Sequence, residues 1–295
     1  DAGGDDLWGS CSLTADDKIG TDNQTIEISG GSSSLTLDCG SGVGLSSEIR
    51  EFRFIVPAGR LASGFKARVN FTNGGFQVVS TTKANVVSRS KVRKMPERTV
   101  TGEIVYNVEN FAIAAYLDYV TENPYQDGSY TSTYIGTTHN GIKFSYDSKN
   151  RRDLPNPAPV NWYKSGIAAK QTVTVGERID IPDPYSTTSL SSSVENCDVW
   201  NLIPGRTYYC CVTETLSNGD VDTLLLNVLK PEGRVRYLKI DKVYNVRDLG
   251  GLTAFGGKKR LKYGQLYRGG SFWCTDSDNA KITEDGKKAA LDAGI

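Results

Sequence analysis

The chain has 295 residues and carries 34 Lys and Arg against 34 Asp and Glu, so its net charge is zero. This argues against nucleic acid as the main partner, because phosphate binding draws on a basic surplus. No apolar run reaches the ~18 residues that a membrane-crossing helix needs. The 15 Tyr, 9 Phe and 4 Trp suffice to fill the cores of two or three domains.

Residues 1–6 (DAGGDD) read as a flexible acidic leader. From 7 to 120 the pattern predicts one antiparallel β-sandwich. Polar and apolar residues alternate at 24–29 (QTIEIS) and 34–39 (SLTLDC), around a turn at 30–33. A strand is expected at 51–56 (EFRFIV). Residues 66–71 and 76–80 flank Thr72-Asn73-Gly74-Gly75, a strong hairpin signal. Two more strands are expected at 99–108 and 111–120. Arg89, Lys91, Arg93, Lys94 and Arg98 form a basic run around Met95-Pro96. It reads as a solvated strand edge, where cations discourage edge-to-edge pairing, or else as a patch for an anionic partner.

Turn formers crowd 121–131 and mark a boundary. A second β-sandwich is expected over 125–232, with strands at 141–146, 160–163 and 222–228 and a hairpin at Asn218-Gly219. In 202–212 (LIPGRTYYCCV), a period of two puts Tyr208, Cys210 and Val212 on the core face and turns Cys211 away. Cys210 is then a small buried hydrophobe. Trp162, Tyr163 and Tyr134 read as core aromatics, with an exposed platform for glycan or peptide as the alternative. The spacing L-x-P-G-x-x-Y-x-x-x-V resembles the fibronectin type III signature. That resemblance implies a tyrosine corner, with Tyr208 packed inward and its hydroxyl on nearby backbone.

Beyond Gly233 the texture changes. Asn245-Val246-Arg247-Asp248-Leu249-Gly250-Gly251 is a turn-rich start in which backbone must pass closely. Residues 262–267 predict a short strand. Thr283 is a plausible N-cap followed by Glu284 and Asp285, and Gly294 a plausible helix stop. Residues 236–295 thus have the pattern of the start of an α/β domain, cut short. The fold class expected for the whole is mainly β, two β-sandwiches followed by this segment.

Three motifs stand in order here: N-x-R-D-L-G-G, G-x-L-Y-R-G-G, and I-T-x-x-G followed by A-G-I. They resemble the beginning of the tyrosine-phosphatase-like family, in its bacterial and fungal tyrosine/lipid phosphatase branch. The resemblance implies hydrolysis of phosphate esters by a thiolate in a Cys-x5-Arg loop. None of Cys11, Cys39, Cys197, Cys210, Cys211 and Cys274 has an Arg six residues on, so no residue here is expected to be catalytic. The matched positions are Arg247 and Asp248, read as an internal ion pair bracing the glycine turn, and Arg268, the candidate for a phosphate-binding position. Lys258, Lys259, Arg260 and Lys262 read as a solvated hairpin tip.

No metal or cofactor is expected, since there is one histidine, His139, and no C-x2-C spacing. Cys11–Cys39 is a candidate staple. The leader resembles the tether of Bacteroidetes-type surface lipoproteins, which implies the cell envelope, periplasmic or at the outer-membrane surface. Two function classes follow. One is a fragment of a modular phosphatase-family protein, acting on phosphorylated protein or lipid, whose β domains position it. The other is a surface adhesion, pilus-like or binding protein, taking another surface protein or a glycan, with a vestigial phosphatase-like tail.

Overall fold

The computed structural model describes residues 7–13, 26–44, 46–88, 90–110, 113–114, 138–139, 142–143, 154–166, 168–254, 258–270 and 281–295. The chain is mainly β, with mostly antiparallel sheets and a ten-residue helix among the described residues. The first strands are β1 (Trp8–Leu13), β2 (Ile26–Ser32), β3 (Gly59–Leu61), β4 (Phe65–Asn70), β5 (Phe76–Thr81), β6 (Asn85–Val87) and β7 (Glu103–Asn107). The middle of the chain adds β8 (Thr138–His139), β9 (Ile142–Lys143), β10 (Ala158–Asn161), β11 (Ala168–Gly176), β12 (Ser186–Ser191), β13 (Asn196–Val199), β14 (Tyr208–Leu216) and β15 (Val221–Glu232). The last are β16 (Arg236–Tyr237), β17 (Arg247–Asp248), β18 (Thr253–Ala254), β19 (Lys259–Arg260) and β20 (Tyr267–Arg268), before helix α1 (Glu284–Ala293).

One sheet organises the molecule. Its order is β12-β11-β14-β15-β5-β4, and β7 also pairs with β15. β14 alternates as its sequence dictates: Tyr208, Cys210, Val212 and Glu214 are buried, while Tyr209, Cys211 and Thr213 are half-buried on the other face. β15 is longer, twelve residues against nine, and two strands divide its second edge. Leu225 and Leu226 pair antiparallel with Gln77 and Phe76 of β5. Val228 to Glu232 pair in parallel with Glu103 to Asn107 of β7. Strands from before residue 110 therefore complete a sheet whose other members come after residue 157.

The main core lies under this sheet. Val160 and Trp162, from β10 and its end, pack against Val173, Tyr208, Cys210 and Leu225. β10 pairs with β13, so a two-stranded ribbon covers the core face of the larger sheet. Each aliphatic side chain so enclosed contributes about 1.5–3 kcal/mol. Trp162 is thus a core residue and not part of an exposed platform. Tyr163 is held by Thr99, whose N–H it accepts at 2.9 Å and whose carbonyl receives its hydroxyl at 3.0 Å. Tyr134 lies outside the described residues.

The structure departs from the sequence reading at several places. Residues 34–39 and 51–56 form no strand, and the turn expected at 30–33 is instead the end of β2, which pairs with β1. High strand propensity without a partner or a buried face does not make a strand. Residues 90–98 are likewise in no strand, so the described part of the basic run is not a strand edge. Cys39 is exposed with a free thiol, so the Cys11–Cys39 staple is not made. The strand expected at 262–267 shortens to β20, because Gly264 turns the chain at φ +77°. The β4–β5 hairpin stands where Asn73-Gly74 asks for it, with Asn70 opposite Phe76. Among the expected features, the leader, the strand at 111–120 and the boundary at 121–131 fall mostly or wholly outside the described residues.

Residues after 233 form a smaller unit against the sheet. β16, β17 and β20 make a three-stranded sheet, and β18–β19 a hairpin. Leu238, Ile240, Val243 and Val246 pack under α1 against Ala290 and Ala293. Thr283 caps the helix, its Oγ1 accepting the Gly286 N–H at 3.0 Å, and Gly294 closes it in the left-handed region at φ +87°. No helix among the described residues is long and apolar enough to cross a membrane.

Candidate functional site

The polar centre of the molecule lies where this last unit meets the large sheet. Arg236 on β16 and Asp248 on β17 face each other in register. Their side chains are 1% and 0% exposed, and Arg236 Nη1 donates to Asp248 Oδ2 at 3.0 Å. Most other hydrogen bonds of this pair join distant segments. Asp248 accepts the Gly250 N–H on Oδ1 and the Gly264 N–H on Oδ2, both at 2.8 Å. Arg236 Nε and Nη2 donate to the Asn201 carbonyl at 2.9 and 2.6 Å, and Nη2 also reaches the Tyr185 hydroxyl at 2.6 Å. Tyr185 in turn donates to the Asn201 carbonyl at 2.6 Å. Burial raises the Tyr185 hydroxyl above its ordinary range, so it stays a neutral donor.

A second clamp holds the linker. The Glu109 carboxylate, 3% exposed, accepts the backbone N–H groups of Arg234 and of Val235, the latter at 3.0 Å. It also accepts Arg234 Nε at 3.2 Å and Nη2 at 3.1 Å. The segment that joins the sheet to the last unit is therefore fixed on both sides. Glu109 and Arg236 were silent in the sequence. No spacing marks Arg236 as the buried arginine among Arg234, Arg236 and the residues around them.

The expected pairing of Arg247 with Asp248 is not made. Adjacent strand residues point to opposite faces, and the partner of Asp248 is Arg236, across the strand. Arg247 lies on the other face, where its Nη1 donates to the Tyr237 hydroxyl at 3.2 Å. Its Nε is buried without a hydrogen-bond partner. Directly opposite it on β20 stands Arg268, which is exposed. Two arginines thus share one face of the small sheet. Such a pair offers forked donors suited to an anion, whereas Asp248 has both oxygens engaged and offers no base.

The two glycines after Asp248 are required by Tyr263. A Cβ on Gly250 would stand 2.4 Å from Tyr263 Cα. Gly251, at φ +79°, would meet the Tyr263 hydroxyl at 2.4 Å. That hydroxyl donates to the Arg234 carbonyl at 3.2 Å, so the turn, the linker and residue 263 lock together.

Tyr208 is buried, and its hydroxyl accepts the Ile203 N–H at 3.1 Å. Burial pushes that hydroxyl up to about 12. The thiols of Cys197, Cys210 and Cys211 are also raised by burial, opposite to what a nucleophilic thiolate needs. Among the described residues no three His, Cys, Asp or Glu side chains gather as a metal site. The side chain of His139 lies outside the description. Lys259 and Arg260 form one strand of the exposed β18–β19 hairpin. Compared with models of known protein families and with curated proteins, the chain finds no match.

Proposed function

We propose that this chain is the scaffold and substrate-positioning portion of an extracytoplasmic protein of the tyrosine-phosphatase family. One observation carries the reading: the three motif segments form a single packed unit. β17 of the first pairs with β20 of the second. Tyr267 of the second donates its hydroxyl to the Ala293 carbonyl of the third, and α1 packs on the same core. Motifs that resemble those of one family and also pack on one another are what a shared domain requires.

In this reading Arg268, with Arg247 beside it, attracts the phosphate of a phosphorylated protein or lipid. The bond-breaking thiolate and its Cys-x5-Arg loop come from outside these residues, so the 295-residue chain alone has no turnover. The inward Tyr208 and its bond to Ile203 support a fibronectin type III-like module beneath. The module's role is to hold the phosphatase-like unit at a fixed angle, through Arg236 and Glu109. The lipoprotein-like leader supports placement at the cell envelope.

The test is phosphate release from phosphotyrosine peptide and from phosphoinositide. The natural polypeptide should turn over one of them, and the 295-residue chain neither. In the natural polypeptide, Arg268→Ser should raise KM more than it lowers kcat. An inactive natural polypeptide would favour the second reading, a surface-binding protein with a vestigial tail. A KM unmoved by Arg268→Ser would remove Arg268 from the site.

A further inference from the structure

The strongest unassigned feature is far from the arginine pair. β3 and β6 form a short ribbon whose last rung is Gly59 opposite Val87. From that end of the ribbon the chain leads back to residues 48–56 on one side and on to residues 90–98 on the other. Neither of these arms has a strand partner. Their one backbone–backbone hydrogen bond among the described residues is local, from Lys91 N–H to the Ser88 carbonyl at 3.2 Å. The first arm exposes Ile49, Phe52, Phe54 and Ile55, the last at 96%, and the second exposes Val92 (85%) and Met95. Isolated apolar side chains on a surface are ordinary, but six on two segments that leave the same end of one ribbon are of the kind that marks an interface.

The charge on the same arms is not balanced. Arg50, Arg53, Lys91, Arg93, Lys94 and Arg98 stand against Glu48, Glu51 and Glu97, in a chain whose total charge is zero. Glu48 and Glu51 are taken by Arg50 and Arg53 at 3.3 and 3.0 Å. Lys91, Arg93 and Lys94 are exposed and make the local surplus. Arg98 packs over the Tyr163 ring, 4.9 Å from its centroid, which pins the second arm to the body.

We infer that these two arms are a docking surface for an anionic lipid bilayer. The charge surplus draws them to phosphate headgroups, and the aromatic and aliphatic tips enter the boundary between headgroup and acyl chain. A soluble polyanion would satisfy the cations and leave Phe52, Phe54 and Ile55 in water. A neutral apolar partner would strand the cations. A bilayer interface takes both. The inference does not rest on the phosphatase reading, since it uses no residue after 163.

The test is flotation of the 295-residue chain with vesicles of phosphatidylcholine alone, and of three parts phosphatidylcholine to one part phosphatidylglycerol. Binding to the anionic vesicles should exceed the neutral ones by about tenfold or more, and should weaken as salt rises. Lys91→Ser/Arg93→Ser/Lys94→Ser should remove that excess. Phe52→Ser/Phe54→Ser/Ile55→Ser should lose the vesicles while keeping salt-sensitive binding to dextran sulfate. These side chains are exposed, and unchanged circular dichroism would show the fold intact. Equal binding to both vesicle types would overturn the inference. So would an apolar variant that binds vesicles as well as the parent, because the site would then be a simple polyanion patch.

Discussion

Arg236 and Asp248 meet at 3.0 Å with both side chains out of solvent, and between them they bond to three other segments of the chain, at Tyr185, Asn201 and Gly264. Desolvating such a pair costs about as much as its attraction returns, so its value is in fixing position. Breaking it is different, because the survivor is left charged and buried. Arg236→Ala and Asp248→Ala should each lower stability by about 3–5 kcal/mol. The double variant should lose well under the sum, and a denaturation cycle measures the difference.

Glu109 should matter nearly as much. It answers two backbone N–H groups and one guanidinium. Glu109→Ala should cost about 2–4 kcal/mol, since it leaves the backbone N–H groups of Arg234 and Val235 without their acceptor. Hydrogen exchange should quicken first at Val235, whose N–H it holds.

Gly250 and Gly205 separate two reasons for a glycine. At Gly250 a methyl group would strike Tyr263 backbone, whereas Gly205, at φ +79°, has open space around it. Gly250→Ala should destabilise by about 3 kcal/mol or more and shift the turn. Gly205→Ala should cost only the conformational term, about 1 kcal/mol. Thermal melts of the two variants test the contrast.

Alkali should unfold the protein through its buried tyrosines. Tyr208 is held up to about 12 from 10.0, and burial raises Tyr106 and Tyr185 as well. A folded-state value above the unfolded one means that the native state keeps its proton longer. The stability is therefore whole below pH 10 and falls as pH climbs toward 12. For Tyr208 the loss reaches about 2–3 kcal/mol. Tyr208→Phe should flatten part of that slope and, by leaving the Ile203 N–H unpaired, lower stability at neutral pH by about 1–2 kcal/mol.

Gln171 is fully buried opposite Glu214, and neither of its amide atoms has a partner among the described residues. Replacing an unsatisfied buried amide by a hydrocarbon of like size removes a cost. Gln171→Leu should hold or raise stability, by up to about 2 kcal/mol, in urea unfolding.

What the sequence disclosed follows from where the physics is local. The alternation through Tyr208, Cys210 and Val212, the Asn73-Gly74 hairpin, and the Thr283 and Gly294 caps are each set by neighbours in the chain, and each was legible. The absence of a strand at 51–56 was not, because the propensity there has no packing to act on. Sharing of the β15 edge by β5 and β7 is a choice among distant segments that no local pattern encodes. The same holds for the site. Arg268 could be proposed from its motif. The true partner of Asp248 could not, since Arg236 looks like any surface arginine until the sheet brings it across.

The most direct test of the proposed function is the natural protein itself, isolated from its source cells and sequenced by mass spectrometry to its carboxyl end. The account predicts peptides continuing past Ile295 that include a Cys-x5-Arg loop. A carboxyl terminus found at Ile295 in the natural protein would contradict it and leave a binding protein in its place.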